Sequence, residues 1–95
     1  MKLYKPFYDA AITPATKKYS VMVKDENGNS HIIHFGDRNM QHYHDKIGHW
    51  SSLNHNDKKR RTAYLARARG IKNKKGEYTY LDKNSSNYWS VNMLW

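Results

Sequence analysis

Tyr19-Ser20-Val21-Met22-Val23-Lys24-Asp25-Glu26-Asn27-Gly28-Asn29-Ser30-His31-Ile32-Ile33-His34-Phe35 decides the fold class. Tyr19, Val21 and Val23 alternate with Ser20, Met22 and Lys24, the period of two that marks a half-buried strand. Asn27-Gly28 supplies the positive φ of a tight hairpin turn. The return run, Ser30 to Phe35, places His31, Ile33 and Phe35 on one face and Ile32 and His34 on the other. Two strands alone are marginal in water, so another element must cover them.

Downstream, Gly36-Asp37-Arg38-Asn39-Met40 has turn chemistry. Residues 41–55 carry four His with no dominant period and read as a loop, with a short helical turn near Gln41–Lys46. A helix follows from about Asp57 to Ala68 or Arg69. Asn56 or Asp57 caps it and Gly70 closes it, with Ile71 placed for the hydrophobic contact of a Schellman motif. Lys72-Asn73-Lys74-Lys75-Gly76 reads as a basic turn and Tyr78-Thr79-Tyr80-Leu81 as a candidate third strand. Asn87 to Trp95 is too rich in rings for a frayed tail and is expected to dock on the hairpin, the helix or another subunit. Upstream, Pro6 and Pro14 make residues 1–18 an extended or irregular arm. The expected architecture is a single small α+β domain over residues 19–95, preceded by that arm: a hairpin packed by one short basic helix and an aromatic C-terminal segment.

Ninety-five residues suffice for one domain. Seventeen Lys and Arg against eight Asp and Glu give +9, with six His in reserve. Such a surplus favours nucleic acid, anionic surfaces or acidic proteins as partners. The absence of Cys excludes disulfides and thiolate metal sites. No run approaches the ~20 apolar residues of a membrane span. The opening Met1-Lys2-Leu3-Tyr4-Lys5-Pro6 has no signal-peptide core. A soluble intracellular protein is expected.

The chemistry-bearing residues concentrate in the helix. Lys58, Lys59, Arg60, Arg67 and Arg69, continued by Lys72, Lys74 and Lys75, are the candidate binders of phosphates or of an acidic partner. Tyr64, Leu65 and Ala68 form its narrow apolar stripe. Arg61 falls on that stripe and must be paired or snorkel. Asp37 is the expected partner, in a bridge that ties hairpin to helix; a phosphate is the alternative. Trp89 and Trp95 are expected structural anchors. Tyr78 and Tyr80 beside Lys75 can stack on single-stranded bases, although half-buried strand residues explain them more simply. The histidines lack any metal-binding spacing. His44-Asp45-Lys46 lacks the second carboxylate that a nuclease site needs. Neither a phosphate-cradling glycine loop nor a nucleophile elbow occurs. No cofactor, no metal and no enzymatic activity are expected.

Three blocks, His34 to Met40, Asp57 to Arg67 and Tyr88 to Trp95, occur in an order that resembles a group of small basic proteins. These proteins are encoded by tailed bacteriophages and by large eukaryotic DNA viruses, and in phages they are often labelled head core or structural proteins. Their pattern is a strand ending in Phe-Gly, a helix with Arg-Arg and Ala-Arg, and a closing Trp-Ser…Trp. The resemblance covers about residues 19–95. It implies a non-enzymatic, multi-copy virion component, a minor capsid or cement-like protein that binds capsid protein by charge and aromatic anchors. The implied location is the virion, with the host cytoplasm before assembly. A nucleic-acid-binding protein using the basic helix is the second reading, and an inhibitor of a host defence factor the third.

Overall fold

The computed structural model describes residues 2–95. Its centre is an antiparallel hairpin of β1 (Lys17–Lys24) and β2 (Ser30–Asp37). Tyr19 lies opposite Phe35, Val21 opposite Ile33 and Val23 opposite His31, so the alternating apolar positions share one face as the period of two requires. The turn is held by Asp25, whose Oδ1 accepts from Asn27 N and Asn29 N, both at 2.9 Å. Gly28 takes the left-handed φ of +81°.

The hairpin face is covered by α2 (Ser86–Met93), which follows a Ser85 cap. Trp89 and Leu94 pack with Tyr19, Val21, Val23 and Phe35 into one buried cluster. Trp89 Nε1 donates to Lys83 O at 2.8 Å, so the indole is anchored at its polar end as well. The closing segment docks as expected, but as a helix. Its Ser, Asn, Trp, Tyr and Val residues are mediocre helix formers, and packing against β2 outweighs that weak propensity. With α1 described below, the chain is a small α+β fold.

The expected third strand does not form. Tyr78 makes one isolated bridge to Lys72, and Thr79–Leu81 is a 3-10 turn. Thr79 N and Oγ1 both donate to Ile71 O, at 3.0 and 3.2 Å, which spends locally the groups a strand would offer. The arm instead takes the free edge of β1. Phe7 and Ser20 exchange two backbone hydrogen bonds of 2.9 and 2.8 Å, and Tyr4 N donates to Met22 O at 2.8 Å. Thr13 Oγ1 lies 2.8 Å from Ser20 Oγ, and Ser20 is fully buried. The second hairpin face at Ser20 is therefore a packed surface, although alternation marked it as outward.

A buried carboxylate organises the His-rich loop. Tyr19 Oη donates to Asp45 Oδ2 at 2.5 Å, while Ile47 N and Trp50 N donate to the same carboxylate at 2.9 and 2.8 Å. Burial acts to raise the Asp45 pKa, but the hydrogen bonds from Tyr19 and from the backbone outweigh it and hold the carboxyl below its ordinary value. The only helical turn in this loop is the 3-10 segment Ser51–Leu53, which begins five residues past the end of the expected turn at Gln41–Lys46.

His42 is fully buried beside this node. Asn54 Oδ1 accepts from Asp45 N at 2.8 Å and lies 2.6 Å from His42 Nε2, so that nitrogen carries the proton. Nδ1 is buried without a partner. Burial, reinforced by Lys18, lowers the His42 pKa. The neutral ring is therefore the folded form. The unfolded chain takes up a proton near pH 6.5 and the folded chain only at lower pH, so His42 stabilises above that value and the contribution is lost as pH falls. Urea melts between pH 7 and pH 5 should show stability declining with acidity. His42→Gln should remove part of that slope, and an unchanged slope would refute the assignment.

Candidate anion-binding face

The basic run forms α1 (Lys58–Ala68). Asp57 is the cap, its Oδ1 accepting from Lys59 N at 2.9 Å and Arg60 N at 3.3 Å. The other end closes with short-span bonds, Gly70 N to Arg67 O and Ile71 N to Ala68 O, at 3.1 and 3.4 Å. Gly70 does not take the left-handed φ of a Schellman motif, and Ile71 is exposed rather than packed back on the helix. Leu65 and Ala68 are the buried residues of α1. Most of the helix surface thus faces solvent.

Its opening turn breaks a local rule. Lys58, Lys59, Arg60 and Arg61 stand at the positive end of the helix dipole, offset there by the Asp57 cap alone, with no acid inside the first turn. Each such cation costs roughly 0.3–1 kcal/mol where an acid would stabilise by a similar amount. Four cations there depart from the charge pattern that best suits a helix N-terminus.

The structure sorts the candidate cations into three groups. Lys58, Lys59 and Arg69 are exposed and take no part in the cleft behind the helix; Lys59 lies opposite the buried stripe, whereas Lys58 and Arg69 flank Leu65 at its edge. Arg60 and Arg67 turn inward and line a cleft between α1 and the rest of the chain. Arg60 is partly engaged there, its Nη1 donating to Gln41 Oε1 at 2.8 Å. Lys72, Lys74 and Lys75 extend the basic surface beyond the helix. Lys72 Nζ sits 4.8 Å from the Tyr78 ring, and Lys75 Nζ lies 3.7 Å from Glu26, a fully solvated pair of little strength. Tyr78, in its isolated bridge, is exposed and Tyr80, in the 3-10 turn, is half-buried, with their rings 6.2 Å apart.

Arg61 does not meet Asp37. Its Nε donates to the backbone oxygen of Trp95 at 2.8 Å, and its guanidinium lies 5.3 Å from the Tyr43 ring. Asp37 Oδ1 instead accepts from Asn39 N at 2.9 Å in the turn after β2. The helix is held to the body by rings rather than by an ion pair. Tyr64 stacks on Trp95 at 4.0 Å with planes 6° apart, and Asn87 Nδ2 donates to Ala68 O at 2.8 Å. Trp89 lies in the buried core, and Trp95 packs against that core while stacking on Tyr64.

Two residues that matter escaped the sequence reading. Asp45 drew notice only as part of His44-Asp45-Lys46, and its carboxylate is occupied by structural hydrogen bonds. Lys18 lay outside the expected strand, yet it is among the most buried side chains. Among the described residues, no group of three or more His, Cys, Asp or Glu converges on a metal-sized site. Among the described residues no helix is long and apolar enough to cross a membrane. No protein-family model, curated protein or solved structure matches the chain.

Proposed function

We propose that the protein is a non-enzymatic adhesion module that lays the outward face of α1 along the phosphates of a nucleic acid, as an accessory component of a DNA virus or phage particle. One observation carries the reading: Lys58, Lys59 and Arg69 are exposed on a largely solvent-facing helix and form no ion pair with any described acid. The unfavourable cations at the start of the helix support it, because an anionic partner relieves the repulsion they create. The three sequence blocks support the viral setting.

The aromatic anchors contribute less to adhesion than the sequence suggested. Trp89 is buried in the core, and Trp95 is stacked on Tyr64. Charge is left as the main adhesive term. A second reading, an acidic capsid protein as partner, is favoured by exposed Met40, Ile71 and Leu81, which a protein surface can cover and phosphates cannot.

Fluorescence anisotropy with a labelled duplex oligonucleotide across a salt series tests the first reading. Affinity should fall steeply with salt, by about 0.9 logarithmic units per phosphate contact for each decade. The double variant Lys58→Glu, Lys59→Glu should flatten the slope by about two contacts and weaken binding at least about tenfold at low salt. An unchanged slope refutes the phosphate reading. Retention on purified particles at fixed stoichiometry, independent of nucleic acid, would select the capsid reading.

A further inference from the structure

The inner side of α1 carries a separate feature. A cleft of about 750 Å³ opens between α1, the end of the hairpin and α2. That volume falls within the range of small-ligand sites, roughly 300–1,000 Å³. Its floor is apolar, built on Phe35 and Leu94, and the stacked Tyr64 and Trp95 pair supplies an aromatic wall.

Lys18 lines this cleft, yet the residue is 1% exposed. Gly36 makes its path possible. A Cβ on Gly36 would lie 3.1 Å from both Cβ and Cδ of Lys18 and 2.9 Å from Leu94 Cδ1, and the φ of +78° disfavours any side chain there. The ammonium donates to Met40 O at 2.7 Å. Among the described residues no carboxylate lies within ion-pair distance of it. An ammonium has three donors, and buried ones are normally paired with an anion. Burial lowers the Lys18 pKa to about 8, against the opposing pull of Asp37 and Asp45, so the group remains mostly charged at neutral pH. Lys17, Arg60 and Arg67 line the same cleft, with Asp37 as its one acid. The lining therefore has a surplus of three positive charges, which suits a dianion better than a carboxylate.

We propose that this cleft binds a phosphomonoester carried on a planar apolar body, with the phosphate among the lining cations Lys18, Arg60 and Arg67 and the ring on the Tyr64–Trp95 wall. Adenosine monophosphate is the probe, compared with adenosine and with inorganic phosphate, each titrated into the full chain by calorimetry. The nucleotide should bind at least about tenfold more tightly than either part alone. It should also shift the Trp95 indole N–H resonance. Lys18→Met keeps the buried stem and should erase the advantage over adenosine. Arg67→Gln, at an exposed position that the fold does not need, should weaken the nucleotide about tenfold and keeps the test alive if Lys18→Met does not fold. The double variant Lys58→Glu, Lys59→Glu should leave nucleotide affinity within about twofold, which separates this site from the outward face. Equal affinity for nucleotide and adenosine would overturn the proposal. So would undiminished binding in Arg67→Gln, or binding that leaves the Trp95 resonance in place.

Discussion

Asp45→Ala is expected to cost about 4 kcal/mol, enough to leave a domain of this size largely unfolded in mild denaturant. The substitution strands the Tyr19 hydroxyl and the amides of Ile47 and Trp50, all of which end on that carboxylate. Tyr19 is fully buried, so water cannot replace the lost partner without opening the core. Chemical denaturation of the variant against the parent measures the loss. The acid limb offers a second check. A carboxyl whose folded pKa is depressed stabilises above its unfolded value of about 3.9, and the contribution is lost as pH falls through the lower folded value. Asp45→Asn should flatten the stability profile in that acidic window. A variant as stable as the parent, with the same acid limb, would show that the loop is held by something else.

Trp89→Ala is the second large effect, at about 3–5 kcal/mol. The indole packs with Phe35, their centroids 6.4 Å apart, and its N–H bonds Lys83 O. Truncation opens a cavity between α2 and β2 and releases that carbonyl. Trp89→Phe keeps most of the ring volume and should lose only about 1–2 kcal/mol. Thermal melts followed by near-ultraviolet circular dichroism distinguish the two. Equal losses would mean that the hydrogen bond, not the volume, holds the helix in place.

The hairpin was legible because its signals are local: alternation over Tyr19 to Val23, an Asn-Gly turn, and a return run of matching period. The helix at Lys58–Ala68 was legible for the same reason, since Asp57 is a cap that needs no tertiary information. The errors lie where distant segments meet. Arg61 had to find a partner, and a charge-based reading offered Asp37, but the backbone oxygen of Trp95 is reached through a Tyr64–Trp95 stack that no spacing rule encodes. Ser20 looked outward because alternation knows only the strand itself, whereas its burial comes from residues 7 to 13 folding over it. The segment Thr79–Leu81 has strand-forming residues, yet its hydrogen bonds are taken by Ile71 and Asn87. At the candidate site, the density of exposed cations on α1 follows from the basic run itself. The cleft behind them depends on where Gly36, Lys18 and Leu94 converge, which sequence order does not reveal.

The arm that pairs with Ser20 and Met22 has one further effect. It caps the rim of β1 with a proline-bearing segment of the same chain, so that rim cannot recruit a strand from a neighbouring molecule. The chain is thereby kept from zipping into fibres along this side. Trimming the arm would uncover the rim and leave the chain prone to edge-to-edge growth.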